Sequence, residues 1–489
     1  MLRQTGLLVP IFSLPSPYGI GDLGNEAKKL IDHLYQNNVH IWQILPINPI
    51  GYGHSPYQPF SSKAGEPLLI SLDLLYEQGY IHKPQPLDNT GYIDYEMVKE
   101  YKTSYFTEAF DSMILDENKR KEFEAFVDQN NWVKDYAIFQ TFKSINHNKC
   151  WNEWEDTYKY YPSQKNEQLI DEHIDQINYH MFLQFLFIKQ WMNLKQYANG
   201  KDIKILGDIP FYVGLDSLDV WINQEEFEID SNGYPTKVAG VPPDYFSPTG
   251  QRWGNPIYNW KKMQENQYTF WKDRLNYVST LFDIIRIDHF RAFDTYWEIP
   301  SSCPTAIEGE WILGPAYDFF DTILNALPTL ELVAEDLGDL REEVLILKNH
   351  YHFPGMQVIQ FHFDPSTSNK SVEAQENLVL YTGTHDNQTL LAWYLELGMD
   401  KRQKVWSYLV DHGYHEPTIN EKFIHYCLDT QARIVIFPCQ DLLALNDIAR
   451  INVPGTIGNG NWEWRLNNLE SLNTCLKKIK PIIEKTHRI

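Results

Sequence analysis

The stretch "FDIIRIDHFRAF" (282–293) reads, by its apolar residues, as a buried β-strand, yet Arg286, Asp288, His289 and Arg291 stand within it or just after it. A charged side chain in a packed core is costly unless it is paired or put to use. Side chains alternate along a strand, so Arg286 and Asp288 share one face, the interior if the sheet closes into a barrel.

Short β-rich apolar runs ending in polar residues recur on either side of it. They are "IWQILPI" (41–47), "PLLISL" (67–72), "IKILGDIPFYV" (203–213), "LELVAEDLG" (330–338), "MQVIQFHF" (356–363), "LVLYTGTHDN" (378–387) and "ARIVIFPCQD" (432–441). Helical patterns precede several of them. "HMFLQFLFIKQWMNLKQYANG" (180–200) sets Met181, Phe185, Ile188 and Met192 on one face, with Gly200 as a stop. "DLREEVLILKNH" (339–350) gathers Asp339, Glu342 and Glu343 early, as a helix start favours. Strands alternating with helices indicate parallel βαβ units, and eight such runs match the number that closes a (β/α)8 barrel. An open doubly wound sheet fits less well. Polar residues cluster at the C-terminal ends of at least four runs, and no Gly-rich nucleotide loop follows any of them.

The expected organisation is a single (β/α)8 TIM-barrel catalytic domain over residues 1–489, an α/β protein with insertions at the C-terminal face of its strands. Residues 73–200 read as a mostly helical insertion. Residues 214–280 read as a second insertion whose aromatic stretch "VPPDYFSPTGQRWGNPIYNW" (241–260) is an ordered loop at the rim.

Composition narrows the partners. A net charge of −23 and a pI near 5.1 repel phosphates, so nucleic acid and anionic membranes are not expected to bind. The 15 Trp, 30 Tyr and 25 Phe suit the faces of sugars, although core packing alone accounts for most of them. Cys150, Cys303, Cys427, Cys439 and Cys475 are scattered and never spaced C-x-x-C, which suits a reducing cytosol better than a disulfide framework or a zinc site. The N-terminal run "LLVPIFSL" is broken by Pro10 and lacks a small-residue cleavage site. A soluble cytoplasmic protein is expected.

The chemistry rests on carboxylates at strand ends. A guanidinium beside Asp288 favours its ionised form and lowers its pKa, which suits a nucleophile. A buried ion pair joining strand to strand explains Arg286 and Asp288 equally well on these residues alone. The following run ends in "VAEDLG", and strands lie about 4.8 Å apart, so a carboxyl there can stand about 5 Å from Asp288, the spacing of a retaining glycosidase pair. Alternation leaves open which of Glu335 and Asp336 points inward; the longer reach of glutamate favours Glu335. Asp386 in "GTHDN" is a third carboxylate, and His385 beside it could bind a sugar hydroxyl, although a lone histidine is more often a loop or core residue. A metal held by Asp208, Asp288, His289 and His385 lacks any spacing that would make it specific, so neither metal nor cofactor is expected.

"RIDHFRAF", "AEDLG" and "GTHDN", in this order, resemble the amylomaltases, the 4-α-glucanotransferases of glycoside hydrolase family 77 and relatives of the α-amylases. The resemblance extends through "LPSPYGIGDLG" (14–24), "WQILPINP" (42–49), "SPYQPFSS" (55–62), "LGDIPFYV" (206–213), "VAGVPPDYFSPTGQRWGNPIY" (238–258) and "INVPGT" (451–456). It implies Asp288 as nucleophile, Glu335 as acid/base and Asp386 as transition-state stabiliser. Arg286, His385, Tyr57, Asp208, Asp244, Phe246, Trp253 and Asn452 are then substrate contacts. The implied substrates are α-1,4-glucans and maltooligosaccharides, with glucose as an acceptor, handled by a monomer or homodimer. Pro248, where relatives often carry glutamate, and Glu463, where arginine is common, depart from the pattern and bear on acceptor contacts. Sequence physics alone does not separate transfer from hydrolysis, nor exclude a silent glucan-binding scaffold.

Overall fold

The computed structural model describes residues 3–87, 91–243, 247–366 and 369–488. Among the described residues, twelve strands are numbered in chain order: β1 Gln4–Leu8, β2 Ile41–Gln43, β3 Lys204–Ile209, β4 Lys237–Val241, β5 Gln251–Pro256, β6 Ile284–Ile287, β7 Thr295–Pro300, β8 Glu310–Leu313, β9 Leu332–Ala334, β10 Gly355–Val358, β11 Leu378–Tyr381 and β12 Ile434–Pro438. Eight of them form a parallel sheet in the order β10-β11-β12-β1-β2-β3-β6-β9. Its two ends meet: Ala334 N donates to Pro354 O (2.9 Å) and Met356 N to Asp336 Oδ1 (2.6 Å). The sheet is a nearly closed (β/α)8 barrel.

Leu8, Ile41, Leu206, Ile284, Val333 and Ile434 fill the barrel interior. Residues two further along β3, β6 and β9 share that face by alternation, which turns Asp208, Arg286 and Glu335 inward at one end. At Gly6, in β1, a Cβ would lie 3.0 Å from Ile436 and 3.1 Å from Ile41, so glycine lets two interior side chains close over the strand.

The strand count was right but one member was not. "PLLISL" is no strand: Pro67–Leu69 is a 3-10 turn followed by a helix at Leu72–Glu77. Glu66 caps the turn by accepting from Leu68 N (2.9 Å), and Pro67 has no N–H to give a ladder. The eighth strand is β1, inside the N-terminal segment that composition had reduced to a short apolar run. It is legible only through its partners β12 and β2. "MQVIQFHF" likewise ends as a strand at Val358 and turns helical over Ile359–His362.

Residues 73–200 contain helices at Tyr95–Leu115, Glu117–Gln129, Trp132–Ile145, Gln164–Glu172 and Ile174–Asn199. The last packs against β3 and the helix Asn25–Gln36, as part of the barrel's outer ring. On it Met192 is exposed, contrary to the expected face, because Trp191 and Leu194 take that position in the core. The aromatic stretch 241–260 is not simply a loop. β5 lies within it and belongs to a four-stranded antiparallel sheet, β5-β4-β7-β8, whose other strands are drawn from residues up to 313. Pairing between segments so far apart leaves no local signature in a Pro/Gly-rich sequence. No helix among the described residues is long and apolar enough to cross a membrane.

Candidate active site

The polar cluster sits at the C-terminal mouth of the barrel, where β3, β6, β9 and β11 end. Backbone bonds continue past the ladder there: Asp288 N donates to Ile209 O (3.0 Å), Glu335 N to Ile287 O (3.1 Å) and Phe290 N to Glu335 O (3.1 Å). The first ties the segment after β6 to β3, and the other two tie β6 and the segment after it to the segment after β9, which brings the Asp288 and Glu335 side chains into one site. His289 adopts a left-handed conformation (φ +54°), and its backbone N–H donates to Glu335 Oε2 at 2.8 Å. Leu337 N donates to the other oxygen, Oε1, at 2.9 Å.

The ambiguity between adjacent acids is resolved by what each touches. Asp336 accepts from Lys348 Nζ (2.6 Å) and from Met356 N (2.6 Å), a buried ion pair behind the barrel wall. Glu335 faces Arg286 and Asp288. Burial is the largest cause raising its pKa to about 7, and the charge of Asp288 adds to it against the opposing pull of Arg286.

Asp288 corrects an expectation. Its pKa is raised to about 6, not lowered: burial is the leading cause, Arg286 opposes it, and Asp208 and Asp386 push the same way as burial. Arg286 cannot prevail because its charge is shared. Nη1 lies 2.7 Å from both oxygens of Asp208 and 3.0 Å from Asp288 Oδ1. Of the two carboxyls, Asp288 is the one that ionises first. It has the guanidinium at 3.0 Å and a side chain 32% open to the cleft, whereas Arg286 and the amide donors of His289 and Leu337 only partly offset the burial of Glu335. Asp288 Oδ2 accepts no hydrogen bond from a described residue.

Asp386 is held from behind and open in front, its side chain 44% exposed. Asn452 Nδ2 donates to its Oδ1 at 2.6 Å, and Arg450 Nη2 to its carbonyl at 2.6 Å. The loop carrying it is fixed by Asn387 Oδ1, which accepts from Thr384 N and Oγ1 (2.9 and 2.8 Å). At its base, Thr382 Oγ1 donates to the buried Asp441 (2.6 Å). Tyr57 Oη donates to Asp208 Oδ2 (2.7 Å) while its ring stacks on His385, centroids 5.0 Å apart and 18° from parallel. Trp253, from β5, meets the His289 ring edge-on at 4.9 Å.

Nine of the eleven residues singled out from sequence thus have a described place, and all nine lie on or around one mouth. Asp244 and Phe246 lie outside the described residues. Trp462, Arg450 and Asp441 escaped the sequence reading. Trp462 joins Tyr57 and His385 in an aromatic wall, 5.8 Å from each ring. Its only signal was a tryptophan in the glycine-rich turn "IGNGNWEWR", where it adopts φ +67°. No group of three or more His, Cys, Asp or Glu among the described residues is arranged to hold a metal. Between Asp208 and Asp288 the place a cation would take is occupied by Arg286.

The family model of the 4-alpha-glucanotransferases, glycoside hydrolase family 77, matches residues 9–471. The 4-alpha-glucanotransferase of Thermus thermophilus is 39% identical over 497 aligned positions, covering 100% of this chain and 99% of that one. That of Synechocystis sp. is 40% identical over 479, covering 95% and 94%. Among solved structures, the amylomaltase from Streptococcus agalactiae in complex with acarbose superposes with a TM-score of 0.93 at 34% identity, covering 99% of each chain. The amylomaltase from Corynebacterium glutamicum shares the fold at 17% identity, with a TM-score of 0.76, covering 100% of this chain and 75% of that one.

Proposed function

The chain belongs to the 4-alpha-glucanotransferases of glycoside hydrolase family 77, and on that footing we propose how its residues move a glucan segment from donor to acceptor. The substrates are α-1,4-glucans and maltooligosaccharides, and the acceptor is the 4-hydroxyl of a second glucan or of glucose. Asp288 Oδ2 attacks the anomeric carbon and the C1–O4 bond breaks. Glu335 gives its proton to the departing O4, leaving a β-glycosyl ester on Asp288. Glu335, now ionised, then takes the proton of the acceptor 4-hydroxyl as that oxygen attacks C1 and releases Asp288. Two inversions retain the α configuration.

The observation that carries this reading is the pairing at one mouth of two carboxyls that burial raises by different amounts because their surroundings differ. One, raised to about 6, has a guanidinium 3.0 Å away and an oxygen that accepts no hydrogen bond from a described residue; the other is raised further, to about 7, by burial that outweighs both Arg286 and its amide donors. Arg286 and Asp208 hold the nucleophile's geometry. Asp386, set by Asn452, is the group placed to bind ring hydroxyls and to support positive charge as the oxocarbenium develops. Tyr57 and Trp253, both partly exposed, are the aromatic surfaces on which pyranose faces would rest, with the buried His385 and Trp462 packed behind Tyr57. Transfer outruns hydrolysis when the acceptor is held in place and water is not, a proximity effect to which the wall from β5 contributes.

Maltotriose alone tests the reading. Transfer yields glucose and a ladder of longer maltooligosaccharides with no net gain of reducing ends. Maltose and glucose with new reducing ends would mean an amylase-like hydrolase, and binding without turnover would mean a silent scaffold.

A further inference from the structure

The outer edge of the antiparallel sheet carries an aromatic surface that the reaction above does not use. In β8, the edge strand, Trp311 is 41% exposed and Leu313 71%, with Ile307 55% exposed just before the strand. Trp311 pairs in register with Trp297 of β7, the two rings edge to face at 5.2 Å. Trp297 is itself locked, its indole N–H donating to Ala306 O at 3.0 Å. One face of Trp311 is covered by the Arg291 guanidinium, whose carbon lies 4.0 Å from the ring centroid. Arg291 is tied in turn to Asp339 O at 2.8 Å. With one face under a cation and an edge on Trp297, the exposed area of Trp311 is its other face and rim. Its indole N–H has no partner among the described residues.

We propose that Trp311 is a second binding platform, for a polymeric α-1,4-glucan, lying outside the catalytic cleft on the same rim of the barrel. This rests on the glucan reading of the active site. A rigid, half-exposed indole with a free N–H offers a flat apolar face for a pyranose and a donor for one of its hydroxyls. The cation beneath it fixes the ring before any ligand arrives, so little rotamer freedom is lost on binding. The occupant is uncharged: a protein with net charge −23 does not recruit anionic polymers to an apolar patch. Continuity with the cleft comes through Arg291, three residues after Asp288 and so within ~11 Å of it along the chain. A long glucan is thus long enough to engage both Trp311 and the cleft, whereas a trisaccharide engages only one of them.

The test compares Trp311→Ala and Trp311→Phe in the full chain, assayed on maltotriose and on amylose. Trp311→Ala is expected to raise KM for amylose on the order of 5- to 30-fold, the loss of one stacked sugar, and to leave maltotriose kcat/KM within about twofold. Trp311→Phe retains a ring and most of the affinity. Migration in an amylose-containing native gel, in an Asp288→Asn background, reads binding without turnover; adding Trp311→Ala there should speed migration. Unchanged amylose KM and migration would overturn the platform. So would an equal rise of KM for both substrates, or a wild-type dimer that Trp311→Ala converts to monomer, since that would assign the face to a second copy of the chain. If wild type fails to disproportionate maltotriose, it is the active-site reading that fails, whereas the gel still tests the platform.

Discussion

Arg286 gives Asp208 both of its shortest contacts: Nη1 lies 2.7 Å from each oxygen of that carboxylate, buried at the base of the mouth, with neither side chain more than 5% exposed. Asp288 receives what remains of the charge, at 3.0 Å. Replacing Arg286 by methionine strands two carboxylates around a space built for a cation. Breaking a buried pair from one side costs about 3–5 kcal/mol. A denaturant titration of Arg286→Met should show a loss of that size, together with loss of turnover.

The same sharing sets the acid side of the pH profile. Asp208 is one of the charges holding Asp288 up near 6, so Asp208→Asn should move the acid limb of kcat/KM to lower pH. An acid limb that stays in place, or moves up, would show that Asp208 does not set the ionisation of Asp288.

The wild-type profile should be bell-shaped, with Asp288 protonating below about 6 and Glu335 losing its proton above about 7. Both pKa values are raised above the ordinary 3.8 and 4.5, so the folded protein binds more protons than the unfolded chain between roughly pH 4 and 7. Stability from this pair is therefore greatest at the acid end of that window and declines as pH rises through it. Calorimetry from pH 5 to 8 should show Tm falling more steeply for wild type than for Glu335→Gln.

Glu335→Gln cannot protonate a leaving oxygen and should lower kcat by about 10²–10⁴-fold on maltotriose. A glucosyl donor whose leaving group needs no proton, such as a glucosyl fluoride, should recover much of the first step. Asp288→Asn should not be rescued by any such donor, because it lacks the attacking group itself.

Lys348→Met separates the adjacent acids. It leaves Asp336 buried without its cation, so chemical denaturation should report a loss of about 3–5 kcal/mol. The pH limbs of kcat should stay where they are, because Asp336 lies on the far side of the barrel wall from Asp288.

Much of this was legible before the fold. Arg286 and Asp288 sit two residues apart in one apolar run, and the period of a strand fixes that they share a face. The three acidic motifs occur in an order and context matched by their family. What a linear pattern could not carry is which of two alternating faces is the inside. That was decided when the sheet closed, with Val333 pointing into the barrel and so carrying Glu335 inward and sending Asp336 to Lys348. Nor could it supply the first strand, whose identity depends on β12 more than 420 residues away. The sign of the Asp288 pKa shift also lay beyond the sequence, because a guanidinium's effect depends on how many carboxylates converge on it. Periodicity is local and survives in the sequence; closure, burial and the sharing of one charge between two carboxylates from neighbouring strands are properties of the assembled core.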